Sequence, residues 1–525
     1  MKLKLSNSGV LKLAIFATGI SGIVAEYVLA TLATYFLGNQ LVQWTLIISI
    51  MLFAMGVGSR ISRRFSKNLL ETFIILESIL SLLVGFSAIV VYSVAAFSYY
   101  EGFLIYAMSI SIGLLIGLEI PLVTRINEQY EVLRTNVSSI LEKDYYGSLI
   151  GGVLFAFVAL PYLGFSYTPI ALGSLNLLVA FLMFFKLKKL VSPTLKKRLW
   201  TTNLIVLATL VLAFIFSDRI ILWGDQIRYK DKVIYSEQTA YQKITLTQWK
   251  EDFWLYINHN QQLSTLDEFM YHEPLVHPVM SLTKAKNVLI IGGGDGCAAR
   301  ELLQYNYIEK ITMVDLDPEM TRIAKENPLF TKLNDSSLWN PKVNVFNGDG
   351  KKFLESDSSL YDAIIVDLPD PKTVDLGMLY AQDFYFLANS RLRPNGVIIT
   401  QAGSPYYATR AFYCIEKTIK SAGFETIPIQ NQVLTLGQWG WVMGIKSQYQ
   451  FEIQSKKAEW KNALKTKIKT ELAASHIKTK WMTPESIDHI FSFGKPLTDT
   501  TGIEINTLTN PVLYQYYNKG NWDLY

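Results

Sequence analysis

Apolar residues are distributed along this chain in two different rhythms. Up to about residue 220 they run in long stretches, each near the ~20 residues that an α-helix needs to cross a bilayer. About seven such stretches are predicted, at 11–37, 41–57, 69–91, 103–123, 146–163, 169–185 and 204–216. The first is too long for a signal peptide, lacks a small-residue cleavage site and is followed at once by the second. Small residues recur inside them, as in "GISG" (Gly19–Gly22) and "GSLIGG" (Gly147–Gly152). Such residues let helices approach closely in lipid. After Phe216 the period changes. Residues 232–255 alternate polar with apolar, as in "YQKITLTQW", and predict strands. "LSTLDEFMYHEPLVHP" reads as a turn and then a helix, with Asp267 and Glu268 near its start. From Lys286 onward strand and helix patterns take turns: "NVLIIG", "CAARELLQY", "KITMVDLD", "PEMTRIAKEN", "VNVFNGDG", "YDAIIVDLPDP", "GVIITQAGS". That alternation predicts a doubly wound parallel sheet. Such sheets bind ligands at the carboxyl ends of their strands.

Composition and charge sharpen the division. Of the 525 residues 50% are hydrophobic and only 18% charged, a low value for a soluble protein. The net charge of +5 is modest. Its basic excess sits in alternate loops: Lys2 and Lys4; Arg60, Arg63, Arg64 and Lys67; Arg125, Arg134 and Lys143; and Lys186, Lys188, Lys189, Lys196, Lys197 and Arg198. The intervening loops carry neither Lys nor Arg. This pattern points to membrane topology and not to nucleic acid. The basic loops should be cytoplasmic, so an odd number of spans carries the second half of the chain outside. Glu26, Glu77 and Glu119 lie at membrane depth. They either line a cation pathway or face the helix bundle, protonated or paired. Glu71 and Asp144 read as interfacial. The two cysteines, Cys297 and Cys414, exclude a disulfide scaffold and a Cys-rich zinc site.

Candidate chemistry gathers at strand ends. "GGGDG" (Gly292–Gly296) joins the first strand of the alternating region to a helix. Its glycines, Gly292 and Gly294 among them, suit close backbone approach by a nucleotide-like ligand. Asp295 stands among them, where a phosphate would not welcome it. "VDLD" ends the next strand and places Asp315 about twenty residues on, where an acid can bond ribose hydroxyls. "NGDG" ends the third and offers Asp349 to an adenine amino group. Each acid alone is an ordinary turn residue, but three at successive strand ends describe an adenosine site. "DLPDP" then puts Asp367 and Asp370 on one tight turn between Pro369 and Pro371. Asp and Pro are common in turns. Two acids at the mouth of a nucleoside site also suit a cationic co-substrate, one binding it and the other accepting a proton.

With these motifs in order, the region from Gln238 to Phe493 resembles the spermidine synthase family, the polyamine aminopropyltransferases. "YQKI", "QLSTLDEFMYHEPLVHP", "GGGDG", "VDLD", "GDG", "DLPDP", "QAGSP" and "GQWGW" carry the resemblance. "GLEIPLVTR" and "YYGSLIGGVLFAFVALPYLG" are similar to membrane segments of a longer bacterial group within that family. The resemblance implies a Rossmann-like, class I methyltransferase-like domain. It also implies transfer of the aminopropyl group of decarboxylated S-adenosylmethionine to putrescine or another polyamine, with methylthioadenosine leaving. No metal or further cofactor is implied. Asp367 matches the acid–base residue. Asp370 and Tyr271 match positions that hold the amine, and His272 and Asp295 positions near the aminopropyl ammonium. Gln242, Asp315, Asp349 and Gly350 match the adenosyl-binding positions, while Gln262 and Gln401 line the site. His272 with His277 as a metal pair is the weaker reading.

The chain also departs from the family pattern. Val374 stands where a proline touches the nucleoside, and Leu434 where a tyrosine contacts the amine. Leu434 would make that wall of the amine pocket apolar. The expected division is a multi-pass membrane domain (1–220), a small β-rich subdomain with a connecting helix (221–283), the catalytic domain (284–450) and a helical extension (451–525). The last part of that extension is expected against the membrane domain. Expected partners are the lipid bilayer of the cell (inner) membrane, a di- or polyamine, and further copies of the chain in a homo-oligomer. Loop charge places the catalytic domain outside, whereas its donor is made in the cytoplasm; the second argument favours the cytoplasmic face. Two other functions compete. One is a methyltransferase on the same fold. The other is a membrane transporter or sensor whose soluble half only binds polyamines.

Overall fold

The computed structural model describes residues 6–37, 40–95, 100–189, 191–239, 241–446, 457–493 and 500–522. The chain divides into two compact units, 1–240 and 241–525.

The first unit is a helix bundle: α1 (Asn7–Leu37), α2 (Gln40–Ile61), α3 (Leu69–Gly85), α4 (Ser87–Ala95), α5 (Glu101–Asn127), α6 (Leu133–Leu154), α7 (Gly164–Leu187) and α8 (Pro193–Arg228), followed by strand β1 (Lys232–Gln238). Among the described residues, five helical runs are long and apolar enough to cross a membrane, and a sixth counts if α3 and α4, bent by 43°, form one span. One of the five is the 55-residue run Leu133–Leu187, far longer than a bilayer is thick. It breaks at Gly164, whose φ of +57° no helix tolerates. Beyond the break Thr168 folds back to donate to the Ala159 carbonyl at 3.0 Å. The run covers both apolar stretches expected at 146–163 and 169–185. The apolar stretch expected at 204–216 lies within the helix Pro193–Arg228, and the compact units divide at 240. Small residues set the packing. A Cβ on Gly147 would fall 2.1 Å from the Phe16 carbonyl oxygen, so only glycine lets α6 lie against α1. Glu26, Glu77 and Glu119 are all buried in the bundle.

The second unit opens with an antiparallel meander, β2 (Lys243–Trp249), β3 (Asp252–Ile257) and β4 (Asn260–Ser264). Helix α9 (Phe269–Thr283) leads into the main sheet. Its parallel strands are β5 (Asn287–Gly292), β6 (Lys310–Asp315), β7 (Val343–Asn347), β8 (Tyr361–Asp367) and β9 (Leu392–Gln401). β10 (Glu425–Val433) and β11 (Gly437–Ile445) complete the order β10-β11-β9-β8-β5-β6-β7. The sheet departs from the expected parallel arrangement at one edge. β11 runs antiparallel to both β9 and β10, because a short turn cannot make the crossover that a parallel pair needs. β5 has β6 on one side and β8 on the other, so the winding reverses there. A crevice opens at such a reversal.

Leu289, Ile364, Val366, Phe384, Phe412, Ile415 and Val442 form the main core. The C-terminal tail closes it, with Ile503, Leu513 and Tyr517 in the same cluster. The tail's last part was expected on the membrane domain. It packs into the second unit instead, because its apolar residues complete this core. The boundary expected at 450 lies outside the described residues, as do 451–456, 494–499 and 523–525 of the extension.

Candidate active site

The glycine loop is built around its neighbours. Gly292 ends β5 directly opposite Asp367 at the end of β8. With φ at +82°, a Cβ on Gly292 would lie 1.9 Å from the Asp367 carbonyl oxygen, so a side chain is excluded twice over. The next amide, that of Gly293, donates to this same carbonyl at 3.0 Å. A Cβ on Gly294 would come within 2.5 Å of Asp315 Oδ2, an oxygen to which the Gly294 amide donates at 3.1 Å. The Asp317 amide donates to Asp315 Oδ1 at 3.0 Å. Burial raises the pKa of Asp315 to about 6. Asp349 caps helix α10 (Gly350–Ser356), its Oδ1 accepting from the Lys352 amide at 2.9 Å. This leaves Oδ2 for a ligand. Three strand ends thus present backbone and carboxylates along one crevice.

Tyr271, His272 and Glu273 are consecutive on α9 and so point in three directions. Tyr271 donates its hydroxyl to Asp367 Oδ1 at 2.8 Å. Burial, and then Asp367, raise the tyrosine's pKa well above the ordinary value, so it stays a donor. His272 Nδ1 lies 3.0 Å from Glu268 Oε2, and its Nε2 lies 3.8 Å from Asp295 Oδ1 and 3.9 Å from Asp367 Oδ2. Glu273 faces away. It accepts from the amides of Lys480, Trp481 and Met482 and clamps the tail.

The charges around Asp367 are linked. Burial opposes a charged imidazole at His272, but Glu268, Asp295 and Asp367 outweigh it and raise its pKa to about 9. Burial likewise opposes ionised Glu268, but His272 and Arg300 hold its pKa at about 2. Arg300 donates to both Glu268 oxygens, at 3.0 and 2.9 Å. Asp367 is mostly buried, its side chain 10% exposed. Burial lifts its pKa to about 6; the neighbouring imidazolium pulls down and Asp295 pushes up. Asp295 Oδ1 also accepts from the Cys297 amide at 2.7 Å.

The acidic turn carries a second carboxylate, that of Asp370. Asp370 Oδ2 accepts from the Tyr517 hydroxyl at 2.6 Å, and Gln401 Nε2 lies 3.4 Å from Oδ1. Gln401 is otherwise spent on the Leu368 carbonyl and the Tyr380 hydroxyl. Gln262 gives its amide to the Asn260 and Gln261 carbonyls and is not bonded to the acids. Gln242 is half-buried just before β2. Leu434 does not form the apolar wall expected of it. It stands 64% exposed in the β10–β11 turn, where Asp267 grips the Thr435 amide at 2.6 Å. The tyrosine hydroxyl at Asp370 comes from the tail.

Reading the sequence missed Glu268, Arg300, Glu273, Lys372 and Tyr517. Only Glu268 carried a local signal, as one of two acids opening a helix. Two groups of side chains, Glu268–His272–Cys297 and His272–Asp295–Asp367, bring ligand-type atoms within 4.8 Å of one another. Neither suits a metal. His272 is protonated, Glu268 is taken by Arg300, and burial pushes the Cys297 thiol well up, so it stays neutral. His277 lies elsewhere, with Nδ1 2.9 Å from the Tyr305 hydroxyl and Nε2 3.1 Å from Glu301.

Residues 268–457 match the spermine/spermidine synthase domain. A polyamine aminopropyltransferase 2 of Aquifex aeolicus is 42% identical over 517 residues, 98% of this chain and 99% of that one. A polyamine aminopropyltransferase of Oceanobacillus iheyensis is 35% identical over 513 residues, 96% of each chain. Among solved structures, a spermidine synthase in complex with the transition-state analogue AdoDATO superposes with a TM-score of 0.45 and 24% identity, over 50% of this chain and 86% of that one.

Proposed function

Since the chain belongs to the spermine/spermidine synthase family, we propose that its second unit transfers the aminopropyl group of decarboxylated S-adenosylmethionine to a diamine, putrescine foremost. The amine nitrogen attacks the carbon next to the sulfonium. A C–N bond forms as the C–S bond breaks, methylthioadenosine leaves as a neutral thioether, and one proton must leave the nitrogen. The donor is already activated by its positive sulfur, so alignment and proton removal are what the protein supplies. The observation that carries this reading is Asp367. It is a mostly buried carboxylate beside the glycine loop, held by Tyr271 and ionised at neutral pH because its pKa is about 6. In this reading Gly292, Gly294, Asp315, Asp349, Gly350 and Gln242 hold the adenosyl part. Asp295 faces the aminopropyl end with His272 behind it. Asp370 and Tyr271 take the amine, with Gln401 and Gln262 at its edges.

The test is an assay of the full chain with both donors. Aminopropyl transfer from the decarboxylated donor is expected, with Asp367→Asn lowering kcat by about 10²–10⁴. Methyl transfer from intact S-adenosylmethionine would sink the proposal.

We read the first unit as embedded in the cell membrane. Besides its long apolar helices, it leaves large apolar side chains outside: Phe53 at 75%, Phe157 at 72% and Tyr162 at 81% exposure. An odd number of passes puts the two chain ends on opposite faces, and loop charge puts the N-terminus inside. The donor's origin nevertheless favours a cytoplasmic second unit. A reporter fused to the C-terminus decides: a cytoplasmic signal is expected, and a periplasmic one would overturn this placement.

A further inference from the structure

Asp370, read above as the acid that holds the far end of the amine, does not stand alone. Lys372 follows it by two residues, and its Nζ lies 3.9 Å from Asp370 Oδ2. The same Nζ donates to Asn260 Oδ1 at 2.5 Å, which ties it to the meander. It also lies 5.9 Å from the centre of the Tyr517 ring. The backbone of Lys372 is fixed as well. Its amide donates to the Asp370 carbonyl at 2.7 Å, and Asn518 Nδ2 donates to its own carbonyl at 3.0 Å. The side chain is only half-buried, and its polar contacts are to Asp370 on the turn and Asn260 on the meander.

A diamine brings two ammonium groups. One must lose a proton and react beside Asp367, while the other needs a carboxylate to offset its desolvation. Asp370 is the acid placed for that. Its charge is already shared by an ammonium of the protein itself and by the Tyr517 hydroxyl. Two cations at one carboxylate repel each other, and a site discriminates by such repulsion as much as by attraction.

We infer that Lys372 is a specificity-determining residue: its ammonium stands in for the far ammonium of the acceptor, so the pocket accepts amines whose far end is uncharged. The inference rests on the aminopropyl-transfer reading. It assigns a substrate class wider than diamines, comprising primary amines with an alkyl or hydroxyl terminus of similar length.

The test uses the full chain in detergent or nanodiscs with the decarboxylated donor. Three acceptors of equal length are compared by kcat/KM: butane-1,4-diamine, 4-aminobutan-1-ol and butylamine. For the wild type the diamine should exceed the other two by no more than about threefold, since the pocket charge is already balanced. In Lys372→Met and Lys372→Gln the preference for the diamine should rise at least about tenfold, as Asp370 is freed. Lys372→Gln keeps a donor for Asn260 and separates loss of charge from loss of the tether. Lys372→Arg should keep the wild-type ratio, and the KM of the donor should stay the same throughout. A wild-type preference above about a hundredfold, or an unchanged ratio in both neutral variants, would overturn the role of Lys372 while leaving aminopropyl transfer intact. No transfer to any amine by the wild type would overturn both.

Discussion

Glu268→Gln removes one charge from the centre of the site and keeps the shape of the side chain. Glu268 is the largest favourable partner of the His272 imidazolium, which it meets at 3.0 Å. Moving His272 from its ordinary 6.5 to about 9 corresponds to ~3 kcal/mol in favour of the charged form in the folded protein. The sign follows from linkage. The folded pKa is raised, so this stability is fully present below pH 6.5 and is lost as pH rises through 9. Glu268 itself works the other way. Its folded pKa of about 2 lies below the ordinary 4.5, so its share is present above 4.5 and lost only as pH falls through 2. Wild-type unfolding free energy should therefore decline by ~3 kcal/mol between pH 6.5 and 9 on account of His272. In Glu268→Gln that decline should largely vanish.

The variant should also be less stable at pH 7. Breaking a buried ion pair costs ~3–5 kcal/mol. The lower end applies here, because Arg300 keeps Glu301 Oε1 at 2.7 Å and the Leu333 carbonyl at 2.7 Å. Denaturation of the full chain in detergent at several pH values measures both effects, and NMR titration of the His272 ring gives its pKa directly. Catalysis provides an independent readout. The imidazolium holds the pKa of Asp367 down, so a neutral His272 should move the acid limb of kcat/KM upward from about 6. An acid limb left in place, together with an unchanged decline of stability between pH 6.5 and 9, would refute this account of the site's charge.

Asp295→Asn should erode the choice between decarboxylated and intact S-adenosylmethionine, because only the intact donor carries a carboxylate that Asp295 would repel; competition of the two donors in one binding assay measures it, and an unchanged preference removes this role. Tyr517→Phe should lower the KM of a diamine by a few fold, because Asp370 Oδ2 loses the hydroxyl that competes for it, and leave that of the donor alone. Its ring remains in the core, so thermal stability should change little; an equal change in both KM values would show that the hydroxyl does not act through Asp370.

The features legible in the sequence are those whose cause is local. A glycine forced to positive φ and pressed against Asp367 has no substitute, so "GGGDG" is visible in any reading of the chain. Acids at strand ends are equally plain, because strand and turn patterns fix where they fall. The Asp370–Tyr517 contact joins residues 147 positions apart. Nothing near Tyr517 marks it, since its neighbourhood reads as an ordinary apolar tail. Arg300 was hidden for a different reason. It lies one turn inside a helix whose pattern predicts only amphipathicity, and its partner Glu268 is 32 residues away. Leu434 matches a pocket position in sequence but not in space, because the β10–β11 turn carries it out to solvent.

The charges distribute the chemistry between the two ends of the site. Around Asp367 stand Glu268, Asp295 and Asp367 itself, against the cations Arg300 and His272, with Glu301 drawing further on Arg300. At least one negative charge is left over. Because the cluster is buried, that surplus is not screened by water, and it attracts a donor that carries a sulfonium and an ammonium. At Asp370 the balance differs, for Lys372 offsets the carboxylate within 3.9 Å. On the proposed site assignment, a cation is held more firmly beside Asp367 than beside Asp370. This asymmetry predicts that the donor binds the empty site first, and that the acceptor depends mainly on alignment beside Asp367. Such a site commits its electrostatic energy to the sulfonium, whose charge disappears in the reaction, and product release follows from that loss.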